Sequence, residues 1–204
     1  MIRSGIATTA GLILLVSPAL GQAAVQPTAY HDFRVVTVAE GLVNPWSMAF
    51  LPGGDILVTE RPGRLRVIRG GALQAAPIQG VPAVVARGQG GLLDVVLHPN
   101  FASNQLVYLS YSKPSGDSGG ATTAVARGRL DGNRLTGVTD IFVADTRGAP
   151  GHFGSRLAFD RNGFLFVTVG DRMVPPAGDL AAHPAQNVAN HHGTINRLHD
   201  DGRV

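Results

Sequence analysis

The sequence predicts an all-β chain that forms part of a β-propeller, and three observations carry that prediction. Glycine (27) and proline (13) together make up nearly a fifth of the 204 residues, a frequency that suits a chain which turns often and not a helical bundle. Three stretches repeat one pattern, an apolar strand, a polar turn and a second apolar strand. Measured from the residue before each turn, at Leu51, Leu97 and Phe159, the repeats lie 46 and 62 residues apart, the interval of a four-stranded propeller blade with room for loop insertions.

The chain opens with one positive charge at Arg3 and an apolar run from Gly5 to Val16, followed by small residues at Gly21 and Ala23. That order predicts a secretory signal, residues 1–23, cleaved near Ala23, and a periplasmic or secreted mature protein. The run is too short to span a bilayer and no later segment could, so no stable membrane anchor is expected. The first hairpin is Trp46–Leu51, the turn Pro52-Gly53-Gly54-Asp55 and Ile56–Glu60; Arg64–Arg69 continues it by alternation. The second runs Leu92–Leu97, a longer turn over His98–Gln105, then Leu106–Tyr111. A further strand, Thr122–Leu130, leads to the turn Asp131-Gly132-Asn133. The third hairpin is Arg156–Phe159, the turn Asp160-Arg161-Asn162-Gly163 and Phe164–Gly170. Residues 24–204 number 181, which at ~45 residues per blade gives about four blades at most and, with the longer second step, three to three and a half. The chain therefore reads as the N-terminal portion of a propeller, with open strand edges that invite self-association. A plain β-sandwich is the alternative architecture.

Composition removes several chemistries. There is no cysteine, so disulfide frameworks, thiolate metal sites and cysteine nucleophiles are excluded. The net charge of +3 comes from sixteen arginines and the single lysine Lys113. The arginines are scattered, as at Arg61, Arg64, Arg66 and Arg69, which reads as a solvated strand face and argues against a nucleic-acid partner.

Two constellations could carry chemistry. In Arg87-Gly88-Gln89-Gly90-Gly91-Leu92-Leu93-Asp94, the glycines could let a flat ligand approach the backbone and the Gln89 amide could both donate and accept. In Gly151-His152-Phe153-Gly154-Ser155-Arg156-Leu157, a histidine lies in a glycine-rich loop, and Asp171 returns at the end of the next hairpin. A carboxylate that fixes the imidazole tautomer makes an oriented general base, as the oxidation of an alcohol by hydride loss requires.

These stretches, with Gly41–Gly54 and Val58–Leu65, resemble the glucose/sorbosone dehydrogenase family, which includes soluble aldose sugar dehydrogenases that use pyrroloquinoline quinone (PQQ). The resemblance covers Phe33 to Gly202 and implies a six-bladed propeller, PQQ as cofactor, calcium in support of it and an aldose as small-molecule substrate. By motif it implies that His152 is the catalytic base, Asp171 its supporting carboxylate, Gln89 a neighbour of cofactor and substrate, and Arg156 a cofactor-side arginine with an equal claim to a structural role. Most of the family's quinone-gripping cations and calcium ligands fall beyond Val204, which leads to the expectation of a truncated fragment without activity of its own. The run His191–Gly202 follows the family's pattern with Thr194 in place of the usual lysine and Asn196 in place of an apolar residue, a polar side chain that costs stability in an inner strand unless paired.

Two other functions fit a propeller segment: a noncatalytic module binding a sugar or a partner chain, and a metal-dependent lactonase. The lactonase needs clustered carboxylates. His183, His191, His192 and His199 crowd the C-terminal region, but no facing acidic partners or tight His pair accompany them, and they read as solvated.

Overall fold

The computed structural model describes residues 24–116, 120–146 and 148–204; the leader assigned to residues 1–23 lies outside them. The N-terminal unit, ending at Thr37, holds a two-stranded ribbon of β1 (Val25–Gln26) and β2 (Phe33–Arg34), paired Val25 to Arg34. The second unit, from Val38 onward, carries the propeller.

Each strand–turn–strand repeat opens a sheet in which successive strands pair antiparallel. The first sheet is β3 (Pro45–Phe50), β4 (Ile56–Glu60), β5 (Arg64–Arg69) and β6 (Ala72–Leu73). The second is β7 (Leu92–Leu97), β8 (Leu106–Ser115), β9 (Gly120–Asp131) and β10 (Arg134–Val143). The third has three strands, β11 (Gly154–Phe159), β12 (Leu165–Val169) and β13 (Thr194–Leu198). The leading strands are neighbours, β7 packing against β3 on one side and β11 on the other. These are propeller blades, two of four strands and one of three.

The middle blade buries both faces. Val107, Leu109 and Tyr111 on β8 point with Ala124 and Ala126 of β9 into a core shared with Leu57, Leu65 and Val67 of the first blade. The intervening Tyr108 and Val125 enter a second core with Leu157, Leu165 and Val167 of the third. Period-two alternation with apolar residues on both faces produces the continuous apolar runs seen in the sequence.

A second device repeats in all three blades. Each leading strand has a register irregularity near its start, between Pro45 and Ser47, between Leu92 and Val95, and between Gly154 and Leu157. An extra residue there takes the backbone out of the ladder, and a hydroxyl of the second strand satisfies the freed amide. Ser47 N–H donates to Thr59 Oγ1 at 3.0 Å, Asp94 N–H to Ser110 Oγ at 2.9 Å and Arg156 N–H to Thr168 Oγ1 at 2.9 Å. The side chains at these equivalent positions converge. Ser47 Oγ donates to Asp94 Oδ1 at 2.5 Å, Arg156 Nη1 approaches the same oxygen at 3.2 Å, and Leu157 N–H donates to Asp94 Oδ2 at 2.8 Å. Asp94, 1% exposed, thus ties three blades together with one carboxylate.

Several expectations are adjusted. The turn at 98–105 contains one turn of helix, α1 (Phe101–Asn104), whose Phe101 plugs the first core. The strand β10 follows Asn133 without announcing itself in the sequence, because bulges between Thr136 and Thr139 and between Asp140 and Phe142, with Gly137 at φ +58°, break its alternation. Asn196 lies in the third strand of its sheet and not in an inner one; its Nδ2 donates to Thr194 Oγ1 at 3.0 Å. The arginines of β5 are paired: Arg64 and Arg66 converge on Glu60, which is fully buried, and Arg69 binds Asp55. The C-terminal histidines are taken up locally, His191 by Asp145, His183 by the Val174 carbonyl and His199 against the Phe164 ring.

Replacing Asp94 removes an anion and leaves buried donors unpaired, a loss of about 3–5 kcal/mol. Asp94→Ala is expected to lower the urea midpoint accordingly, with Asp94→Asn less affected. Ser110→Ala, which strips one hydroxyl from the same network, is expected to cost about 1–3 kcal/mol in the same experiment.

Candidate functional site

Antiparallel blades place the start of each first strand and the end of each second strand at the same end of the sheet. Gln89 precedes β7, His152 precedes β11 and Asp171 follows β12, so the topology gathers residues 63 and 82 positions apart in sequence at one rim. The loops are bonded to each other directly. Gln89 N–H donates to the Pro150 carbonyl at 2.8 Å, and Gln89 Oε1 accepts from His152 N–H at 2.8 Å. Arg61 Nη1 holds the Gly88 carbonyl at 2.5 Å from the preceding blade.

His152 Nδ1 lies 2.7 Å from Asp171 Oδ1. The carboxylate accepts the Nδ1 proton, which fixes the tautomer and leaves Nε2 with its lone pair. The imidazole is half exposed, and Asp171 also accepts from Met173 N–H at 3.0 Å. The hydrogen bond from His152, with help from the Met173 amide, holds the Asp171 carboxyl below its ordinary pKa against a smaller opposing effect of burial.

The backbone around this pair is strained. Of the six non-glycine residues at positive φ among those described, four belong here: His152 (+47°), Ser155 (+76°), Arg172 (+60°) and Met173 (+57°). Such conformations persist when surrounding contacts over-determine them, and they concentrate at functional sites.

The structure joins three of the four expected site residues, His152, Asp171 and Gln89, in one hydrogen-bonded set. Arg156 lies outside that set: its Nη1 serves Asp94 and its guanidinium covers the Trp46 ring at 4.6 Å, while its side chain stays 61% exposed. The glycines around Gln89 also face the protein's own backbone. A Cβ at Gly88 would fall 2.2 Å from the Pro150 carbonyl oxygen, and one at Gly91 2.1 Å from that of Arg61. The close approach they permit is between backbones of adjacent loops.

Sequence reasoning missed two residues. Asp94 stands in the sequence only as the end of a motif, and Arg172 belongs to none of the motifs singled out. Arg172 is 1% exposed and its guanidinium donates to the carbonyls of Gly151, Ala121 and Ala149. An arginine whose carboxylate partner is replaced by backbone oxygens from distant segments leaves no spacing signal.

PQQ, which the resemblance implies, presents carbonyl and carboxylate oxygens that need donors. Gln89 Nε2 has no protein partner among the described residues, since only its Oε1 is spent on His152, and it stands beside a base whose Nε2 is open; this donor–base pair fits one edge of a quinone and its substrate. Calcium is not matched in the same way. Among the described residues no three His, Asp or Glu side chains stand together as a metal-ligand set. Nor is any described helix long and apolar enough to cross a membrane.

Residues 42–204 match the family model described as Glucose / Sorbosone dehydrogenase. Aldose sugar dehydrogenase YliI of Escherichia coli is 41% identical over 175 residues, which are 84% of this chain and 45% of that protein. A crystal structure of a glucose dehydrogenase aligns with a TM-score of 0.75 at 43% identity, covering 83% of this chain and 48% of its own. The PQQ-bound form of an aldose sugar dehydrogenase from Streptomyces coelicolor aligns with a TM-score of 0.66 at 30% identity, covering 82% and 48%. The chain spans a little under half the length of the curated relatives it matches. Blades of matching fold and a motif match running from residue 42 to residue 204 place it beyond a shared architecture: the chain belongs to the glucose/sorbosone dehydrogenase family.

Proposed function

We propose that the protein takes part in PQQ-dependent oxidation of aldose sugars to aldonolactones, with His152 as the general base. The observation that carries this reading is the 2.7 Å contact of His152 Nδ1 with Asp171 Oδ1, which leaves Nε2 free at an exposed rim. When bound, PQQ supplies the acceptor for the two electrons and hydrogen that leave the anomeric carbon as hydride. The chain's own residues handle the proton. His152 Nε2 takes the proton of the anomeric hydroxyl as the C–H bond breaks, so the anomeric carbon of the ring form becomes the lactone carbonyl directly. Asp171 stabilises the imidazolium that results. Gln89, with Oε1 fixed on the His152 amide, offers Nε2 to a quinone or sugar oxygen. Arg156 spends Nη1 on Asp94 and keeps its remaining donors for an anionic group of the cofactor.

The relatives named as aldose sugar and glucose dehydrogenases support the substrate class, and the PQQ-bound neighbour supports the cofactor. The order of charge, apolar run and small residues in Met1–Ala23 supports export to the periplasm or beyond.

The test is dye-linked oxidation of glucose by the full chain with PQQ and calcium added. His152→Asn, which tolerates the left-handed backbone at this position, is expected to lower kcat by about 10²–10⁴-fold with little change in melting temperature; unaltered turnover in that variant would remove the base from the mechanism. For Asp171, the lowered pKa fixes the sign of a second experiment. A carboxyl whose pKa is lower folded than unfolded adds stability above its unfolded value, about 3.9 for aspartate, and that contribution disappears as pH falls through the folded value. The stability gap between the unsubstituted protein and Asp171→Asn is therefore expected to be small, because the pair is partly exposed, constant at neutral pH, and closed by acid below pH ~4; urea titrations across that range measure it.

A further inference from the structure

Arg172 is, by volume, the largest of the fully buried side chains among the described residues, and no carboxylate pairs with it there. A buried cation needs strong compensation. Nε donates to the Gly151 carbonyl at 3.0 Å, Nη2 to that of Ala149 at 2.8 Å and Nη1 to that of Ala121 in β9 at 2.8 Å. The Arg172 carbonyl in turn accepts from Ala149 N–H at 3.1 Å. Its Cζ stands 3.9 Å from the centre of the Phe153 ring, close enough for a desolvated cation–π contact.

The geometry of these contacts is specific. They fall at residues 149, 151 and 153, on both flanks of His152, and their fourth anchor is the neighbouring blade. Asp171, the preceding residue, holds the imidazole itself. One dipeptide therefore grips the His152 loop twice, by side chain and by backbone, and Arg172 adopts φ +60° to do so.

Resting on the base assignment above, we infer that Arg172 is a positioning residue, holding the loop at 149–153 so that the His152 imidazole meets Asp171 while its backbone N–H meets Gln89. A planar guanidinium carries five donors in a fixed fork, which here reaches carbonyls from two segments at once. Lysine offers a single point charge and cannot replace it fully.

The test uses the full chain with Arg172→Met, Arg172→Lys and Phe153→Leu. In steady-state assays with PQQ and glucose, Arg172→Met is expected to lower kcat about 10²-fold, the scale of a displacement near 1 Å, with KM within about threefold; Arg172→Lys and Phe153→Leu are expected to fall between it and the unsubstituted protein. The second readout needs neither cofactor nor turnover. In ¹⁵N-histidine NMR spectra of the PQQ-free protein, the His152 Nδ1–H signal sheltered by Asp171 is expected to broaden or vanish in Arg172→Met and to recover partly in Arg172→Lys. A folded Arg172→Met with that signal and kcat intact would overturn the inference, as would a loss of melting temperature in all three variants with the signal unmoved. Should Arg172→Met fail to fold, the other two variants decide by the same signal. Should the unsubstituted protein fail to oxidise glucose, the kinetic arm gives no reading, and the NMR arm alone decides whether Arg172 positions the imidazole.

Discussion

The blades are joined at the carboxylate of Asp94. A propeller has no continuous sheet across its blades, so apolar packing between faces sets their spacing while leaving their relative slide weakly specified. Directional bonds from one buried anion to Ser47, Arg156 and the Leu157 amide remove that freedom. Their positions matter as much as their number. Ser47, Asp94 and Arg156 occupy equivalent bulged sites in successive blades, each amide bound to a hydroxyl of the second strand. The irregularity that would weaken a flat sheet is what turns these three side chains toward each other.

The rim site is built on the same foundation. The loops bearing Gln89 and His152 lead directly into the strands that Asp94 connects, so the frame beneath them is held by that carboxylate. Local contacts then refine it: the Gly88 and Gly91 backbones meet the facing carbonyls, Gln89 bonds to Pro150 and His152, and Asp171 takes the imidazole. A base on a mobile loop would lose reaction geometry with each fluctuation. Here the conformational cost of positive φ at His152 and Arg172 is offset by hydrogen bonds that only that conformation makes.

Much of this was legible in the chain because it depends on local chemistry. Hairpins announced themselves where alternation met Gly, Asn, Asp and Pro, and the His152 loop and Asp171 stood out by residue type. Other features were not legible. The bulges of β10 erased its period, so a ten-residue strand gave no signal in the sequence. Asp94 binds partners 47 and 62 residues away, and Arg172 reaches back 51 residues to Ala121. Neither distance corresponds to a spacing rule. The glycines flanking Gln89 signalled close approach correctly, but a sequence cannot say whether the approaching partner is a ligand or the protein's own backbone.

The left-handed backbone of His152 also has an evolutionary consequence. Few side chains tolerate φ near +50°, and asparagine joins glycine and histidine among those that do. Single-base changes in histidine codons reach asparagine, so one mutation could silence the base while leaving the loop's path undisturbed.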